Sequence, residues 1–204
     1  SGKGTAAQAL SARLDVPHVS TGEMFRAAVR KGGPLSEDVR QFIDKGQLVP
    51  DEITVQIVQL WLDEQGPDGG FIFDGFPRTM PQATAFDALL VARRLPLHLI
   101  VFLDVGSAEI LERIRGRLSC ERCGTLYHAR FILPKRAGVC DRCGGQLIRR
   151  VDDTEATLQE RLRWYETLTV PVVRHYESSP VFHRLDAAAP REQNLDRIQG
   201  WLPV

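Results

Sequence analysis

The chain has 204 residues, with 26 lysines and arginines balanced by 26 aspartates and glutamates. That length suits one core domain carrying a small insert. The charge balance excludes a global field that would draw the molecule onto nucleic acid or an anionic membrane, so any bound anion is held locally.

In chain order the first signal is SGKGT, Ser1 to Thr5. It has the end of a phosphate loop, G-x-x-x-x-G-K-[ST], whose successive backbone N–H groups and following helix N-terminus cradle phosphates. By itself it is weak, because a Gly- and Lys-rich end is also what a flexible tail looks like. Periodicity and capping signals then predict helices over Gly2–Leu14, Thr21–Lys31, Leu35–Lys45, Asp51–Glu64, Thr79–Arg93, Ser107–Gly116, Thr154–Ser178 and Arg191–Trp201. Short apolar runs predict strands at His18–Ser20, Phe71–Phe73, Leu99–Leu103 and Val181–Leu185. Continuous apolar strands alternating with helices are the pattern of a parallel sheet covered on both faces, an α/β fold. No apolar run reaches the roughly 20 residues of a membrane helix, and no charged-then-apolar leader precedes the first motif, so the expectation is a cytoplasmic protein.

Within FIFDGFPRT, Phe71 to Thr79, an apolar strand ends in Asp74 and turns at Gly75. An acid at the carboxyl end of a buried parallel strand is where phosphoryl-transfer enzymes place the group that organises Mg²⁺. The bland alternative is an aspartate capping the next helix. Leu118 to Arg149 breaks the helical rhythm and reads as an inserted small domain. It carries C-x2-C-x16-C-x2-C, formed by Cys120, Cys123, Cys140 and Cys143. This spacing suits two knuckles that fold four thiolates onto one zinc ion, with Gly124 and Gly144 permitting the tight turn beneath each pair. Four sulfurs fill a tetrahedral shell, so such a site is closed and structural. The alternatives are two disulfides, disfavoured in a reducing compartment, and four free thiols.

SGKGT, STGEMFR (Ser20 to Arg26), GQLVPDE (Gly46 to Glu52), DGFPRT (Asp74 to Thr79), the pair Arg113 and Arg117, and the R-x-D-D run from Arg150 to Arg161 follow in one order. With these motifs the chain resembles the adenylate kinases among nucleoside monophosphate kinases, as far as Pro203. The resemblance implies a P-loop NTPase-type parallel sheet, five-stranded in the full family, flanked by helices and carrying a zinc-ribbon-like lid. It implies a core of residues 1–117 and 150–204, an AMP-binding subdomain at 20–64, and a lid at 118–149. It also implies that the family's first, central strand and the G-x-P-G start of its loop are missing ahead of Ser1. The expectation is therefore an N-terminally truncated chain that is not a stable, active enzyme in this form, and whose activity belongs to the complete protein.

The implied reaction is reversible, Mg²⁺-dependent transfer of the terminal phosphate of ATP to AMP, giving two ADP. Such a transfer needs in-line positioning and positive charge, and arginine's planar fork binds phosphate oxygens in pairs. By resemblance the catalytic set is Lys3, Arg78, Arg113, Arg117, Arg150 and Arg161. ATP would lie on Ser1, Gly2, Lys3, Gly4 and Thr5, with Arg117, the lid residues Leu126 and Tyr127, and Ala189 around it. Thr5 and Asp74 would organise Mg²⁺. AMP would sit among Thr21, Arg26, Gln47, Leu48, Val49, Gly75, Phe76, Pro77 and Arg78, with Gln82 facing its adenine edge. Arg78 and Arg161 would hold its phosphate while Arg113 and Arg150 close on the transferring group. Arg93, Arg94, Arg122 and Arg136 read as solvated surface charges. The resemblance suggests a monomer, with no nucleic-acid or membrane partner.

Three other readings compete. A GTP:AMP phosphotransferase or uridylate kinase shares the fold, though the long lid argues against the latter and Gln82 fits AMP. A zinc ribbon that binds nucleic acid would use Arg122, Arg130, Lys135, Arg136 and Arg142, but only Tyr127 and Phe131 could stack bases there. A non-catalytic fragment is the third.

Overall fold

The computed structural model describes residues 2–202 apart from 33, 46, 66–68, 151 and 152. Helix α1 (Lys3–Leu14) leads to strand β1 (His18–Ser20), and helices α2 (Thr21–Lys31), α3 (Pro34–Asp44) and α4 (Asp51–Gln65) follow. Strand β2 (Ile72–Asp74) runs into α5 (Met80–Ala92), and β3 (Ile100–Asp104) into α6 (Ser107–Arg115). The insert supplies β4 (Arg117–Cys120), β5 (Leu126–His128) and β6 (Leu147–Ile148). The chain closes with α7 (Glu155–Trp164), a π-helical turn (Tyr165–Thr169), α8 (Val170–Glu177), β7 (Phe182–Asp186) and α9 (Arg191–Trp201). Every expected element is present with ends displaced by a residue or two, save that the helix expected over Thr154–Ser178 is interrupted. Among the described residues no helix is long and apolar enough to cross a membrane.

The sheet is divided. β1 and β2 pair in parallel, with His18 opposite Ile72 and Ser20 opposite Asp74. β3 and β7 pair in parallel, from Ile100 opposite Phe182 to Asp104 opposite Asp186. Among the described residues no ladder joins the two pairs. A connected cavity of about 1980 Å³ lies between them, lined by Ile72 and Phe73 on one side and Val101 and Leu103 on the other, and it opens into the cleft beneath Lys3. These apolar strand residues are consequently only half-buried, whereas a continuous parallel sheet buries both faces.

Leu10, Leu185, Leu195 and Ile198 form the core below the cavity, with Ile72, Val101 and Leu103 packed on it. A second core joins α4 to α5 through Val58, Leu62, Phe76, Phe86 and Leu90. Edge-to-face rings reinforce it, with Phe76 and Phe86 centroids 5.1 Å apart. α5 begins where it does because the Thr79 hydroxyl accepts from the Gln82 N–H and proline sits in the first turn. A third core of Phe25, Val39 and Val49 holds α2 to α4 together.

Thr154–Ser178, expected as one α-helix, is two segments around the π-helical turn. Its start is fixed by a capping box between Thr154 and Thr157. Pro171 explains the irregularity. It has no N–H for the carbonyl four residues back, and immediately before it the Val170 N–H reaches Tyr165 O, five residues away. In the insert β4 pairs antiparallel with β5, Arg117 facing His128, and with β6, Cys120 facing Leu147. Cys120, Tyr127, Cys140 and Leu147 are its own small core.

Candidate active site and metal centre

Three glycines report how tightly the cleft is drawn. A Cβ on Gly2 would stand 3.1 Å from Arg113 Nη1; one on Gly4 would meet Asp74 Oδ2 at 3.0 Å and Leu126 Cδ1 at 3.1 Å; one on Gly75 would meet Arg78 Nη2 at 2.8 Å and Lys3 Cε at 3.5 Å. The start of α1, the loop after β2 and the insert thus converge on one point. Ser1 lies outside the described residues. Thr5, on the first turn of α1, lines the same cavity.

The convergence is positively charged. Asp74 holds the Lys3 proton, but burial together with Arg78, Arg117 and Arg161 outweighs it, and Lys3 is lowered to about 8. Its side chain is crowded by protein yet open to cleft water. Burial raises Asp74, while His18, Lys3 and Arg78 pull its carboxyl below the usual range; His18 Nε2 is 3.5 Å from Asp74 Oδ2. Burial lowers Arg78 against the pull of Asp74, and Arg161 and Arg26 add their repulsion. An arriving anion relieves this crowding. Asp74 Oδ1 is buried with no hydrogen-bond partner. An unsatisfied carboxylate oxygen in the cavity that Thr5 also lines fits a hard divalent cation.

Carboxylates hold the arginines in place. Asp153, with a side chain 5 % exposed, accepts from Arg117 Nε at 2.8 Å and from Arg117 Nη2, and lies 3.5 Å from Arg161 Nη1. Arg113 donates to Glu109 and, at 2.6 Å, to Ala187 O, which places it by the loop that carries Ala189. Glu23 accepts from both Arg26 and Arg150. Sequence reasoning picked out the arginines and missed Glu23, Glu109 and Asp153. The first two carried a signal in their helical spacing to Arg26 and Arg113.

On the other flank, Arg78 Nε donates to Gly75 O at 2.7 Å, and Thr21 Oγ1 donates to the same carbonyl at 3.4 Å. Gln47, Leu48, Val49, Phe76 and Pro77 line this part of the cavity. Gln82, expected to face a base, is 2 % exposed. Its Oε1 accepts from the Arg78 N–H at 2.8 Å, and its Nε2 donates to Asp51 Oδ1 at 2.7 Å. One amide hydrogen and one lone pair remain. Tyr127 is packed into the insert's core: its hydroxyl donates to Cys140 Sγ at 3.7 Å and accepts from the Asp141 N–H at 2.7 Å. Leu126 reaches α1, its Cδ1 lying 3.1 Å from where a Cβ on Gly4 would be. Arg93 is no free surface charge but pairs with Asp63 at 2.5 Å, whereas Arg94, Arg122 and Arg136 are exposed.

The four cysteines are free thiols, and their sulfurs lie within 4.8 Å of one another. Cys120 and Cys143 sulfurs are 3.4 Å apart, Cys123 and Cys140 sulfurs 3.6 Å. A tetrahedral ion with bonds of about 2.3 Å to sulfur has edges of about 3.8 Å, so the cluster is of metal-binding size. Burial raises Cys140, but the Cys143 and Arg142 N–H groups and the Tyr127 hydroxyl bring it down to about 6. Cys143 is stabilised by the Gly145 N–H but pushed by Cys123, burial and the other thiols up to about 12. The set ionises fully once a cation sits among the sulfurs.

The family model for adenylate kinase matches residues 1–181. The chain is 42 % identical over 201 residues to an adenylate kinase of Clostridium tetani, covering 98 % of this chain and 93 % of that protein. An adenylate kinase of Moorella thermoacetica is 42 % identical over 187 residues, 92 % of this chain and 86 % of the relative. One of Salinispora tropica is 43 % identical over 191 residues, 94 % and 88 %.

Proposed function

The chain belongs to the adenylate kinase family, and from that premise we propose how its residues serve the phosphate transfer. The enzyme is a phosphotransferase that moves the terminal phosphate of ATP to AMP, giving two ADP. The observation that carries the residue assignment is the convergence of Lys3, Arg78, Arg113, Arg117 and Arg161 around the start of α1 and Asp74.

In this reading the ATP phosphates lie on the residues from Ser1 to Thr5, Lys3 neutralises the β and γ groups, and Arg117 clamps them from the insert side. Ala189 stands by the donor base and Arg113 closes on the transferring group with Arg150, while Leu126 closes over Gly4 and keeps water from the transferring phosphate. Arg78, Arg161, Arg26 and Arg150 hold the AMP phosphate in line. Thr21, Gln47, Leu48, Val49 and the segment Gly75 to Pro77 border its nucleoside, and the remaining amide capacity of Gln82 meets the adenine. Asp74 and Thr5 would hold Mg²⁺, which when bound neutralises charge on the transferring oxygens. No protein base is needed, because the attacking group is already a phosphate anion.

We assign residues 1–117 and 150–204 to the core, 20–64 to AMP binding and 118–149 to a lid. The separate cores of α2 to α4 and of the insert support these divisions. Cys120, Cys123, Cys140 and Cys143 would bind zinc structurally, without contact to the reacting groups. The protein works as a cytoplasmic monomer in this reading, a compartment in which thiols stay available for metal.

The test is ADP formation from ATP or GTP with AMP, CMP, GMP and UMP, with Mg²⁺ and after its chelation. ADP from ATP and AMP alone, lost without Mg²⁺, is the expected result. Phosphate released regardless of acceptor overturns the assignment.

A further inference from the structure

Glu23 stands in the first turn of α2, its side chain 28 % exposed. One oxygen, Oε1, accepts from Arg26 Nη2 at 2.5 Å, from Arg26 Nε at 3.1 Å and from Arg150 Nη2 at 2.6 Å. The other, Oε2, lies 3.2 Å from where a Cβ on Gly124 would be, against the turn after the first cysteine pair. A single carboxylate therefore touches α2, the chain leaving the insert, and the insert itself. Arg26 and Arg150, 124 residues apart along the chain, thus bond to the same carboxylate oxygen.

Two guanidinium nitrogens bonded to one oxygen can lie no farther apart than the two bond lengths together, about 5.1 Å. That spacing suits two arginines flanking one phosphate group, each bond to an oxygen being about 2.8 Å. Without an anion between them the two cations repel, more so because Arg26 already crowds Arg78. The contact with Gly124 makes the arrangement conditional on the insert lying against α2.

We propose that Glu23 is a positioning residue for the phosphate acceptor: it sets Arg26 and Arg150 at the spacing of one phosphate group, and does so when the insert is seated on α2. This rests on the assignment of those arginines to AMP. Because Glu23 acts through the acceptor's arginines, its loss acts on AMP and spares ATP, which a general loss of structure does not do.

The experiment compares Glu23→Gln and Glu23→Asp with the parent, all with metal bound, by steady-state kinetics in each nucleotide and by melting temperature. Glu23→Gln is expected to raise KM for AMP about tenfold with KM for ATP within twofold. Glu23→Asp keeps the charge one methylene short and should recover part of that loss, and it also serves if the glutamine variant fails to fold. A KM for AMP within twofold of the parent, a fall in that KM, or equal rises for both nucleotides overturns the role. A full-length parent protein that forms no ADP overturns the phosphate-transfer reading itself.

Discussion

Replacing Gly75 by alanine tests whether the loop after β2 positions Arg78. Gly75 has φ +77, and a Cβ there would stand 2.8 Å from Arg78 Nη2. The left-handed backbone costs an alanine roughly 1–2 kcal/mol. Gly138, at φ +74 with nothing within 4 Å of its Cβ position, gives the same strain without the crowding and is the natural control. For a chain of this size each kcal/mol shifts the melting temperature by about 2–4 °C, so both variants should melt several degrees lower. They should differ in activity. Arg78 must retreat by about half an ångström to reach ordinary contact, and displacements approaching 1 Å cost on the order of 10²-fold in rate. Gly75→Ala should therefore lose roughly 10- to 100-fold in kcat/KM for AMP, with Gly138→Ala close to the parent. Equal activity in two equally destabilised variants would refute the idea that Gly75 sets the arginine.

The depressed Lys3 makes ATP binding proton-linked: phosphates restore its proton, so near pH 8.5 binding should take up a proton, and ATP affinity should weaken as pH rises through about 8. Calorimetry in two buffers of different ionisation enthalpy reads this, and an undiminished uptake in Lys3→Arg overturns it. The sign for stability is opposite. Between pH 8 and the ordinary lysine value the unfolded chain binds the proton more, so the Lys3 contribution improves as pH rises through that window, and cleft water screens it. Elemental analysis should find one zinc for the four cysteines, and its chelation should lower the melting temperature while activity in the cold is largely kept; an unchanged melting curve after metal loss counts against a structural ion. Gly116→Ala places a Cβ 2.3 Å from the buried His128 ring and should destabilise the insert by about 1–3 kcal/mol, read as faster hydrogen exchange confined to β4 and β5.

Much of this was legible in the sequence because local chemistry specified it. The strand FIFD, the Gly75 turn and the Thr79 cap each follow from residue type, and the two CxxC pairs brought their four sulfurs together as their spacing suggested. The arginines were visible as motif positions, but their carboxylate partners were not. Asp153 meets Arg117 across 36 positions and Glu23 meets Arg150 across 127, pairings that only the tertiary fold defines. Gln82 and Tyr127 show the same limit. Their side chains could serve a ligand or the protein, and the protein's own hydrogen-bonding needs at Asp51, Arg78 and Cys140 engage them first.

The π-helical turn has a consequence for chain length. Arg161 reaches Asp153, and eight positions later Thr169 Oγ1 donates to Arg78 O at 3.0 Å. At about 100° per residue an unbroken α-helix would set these two side chains about 80° apart. One extra residue taken up in the wide turn returns them to within about 20°, so both face the loop that carries Arg78. Regularising the turn while keeping every residue would swing everything beyond it by about a quarter turn, whereas deleting one residue between Tyr165 and Thr169 would regularise the hydrogen bonding and leave the two faces in phase. Here the wide hydrogen bonding of the turn, more than the number of residues, is what keeps Arg161 and Thr169 on one face.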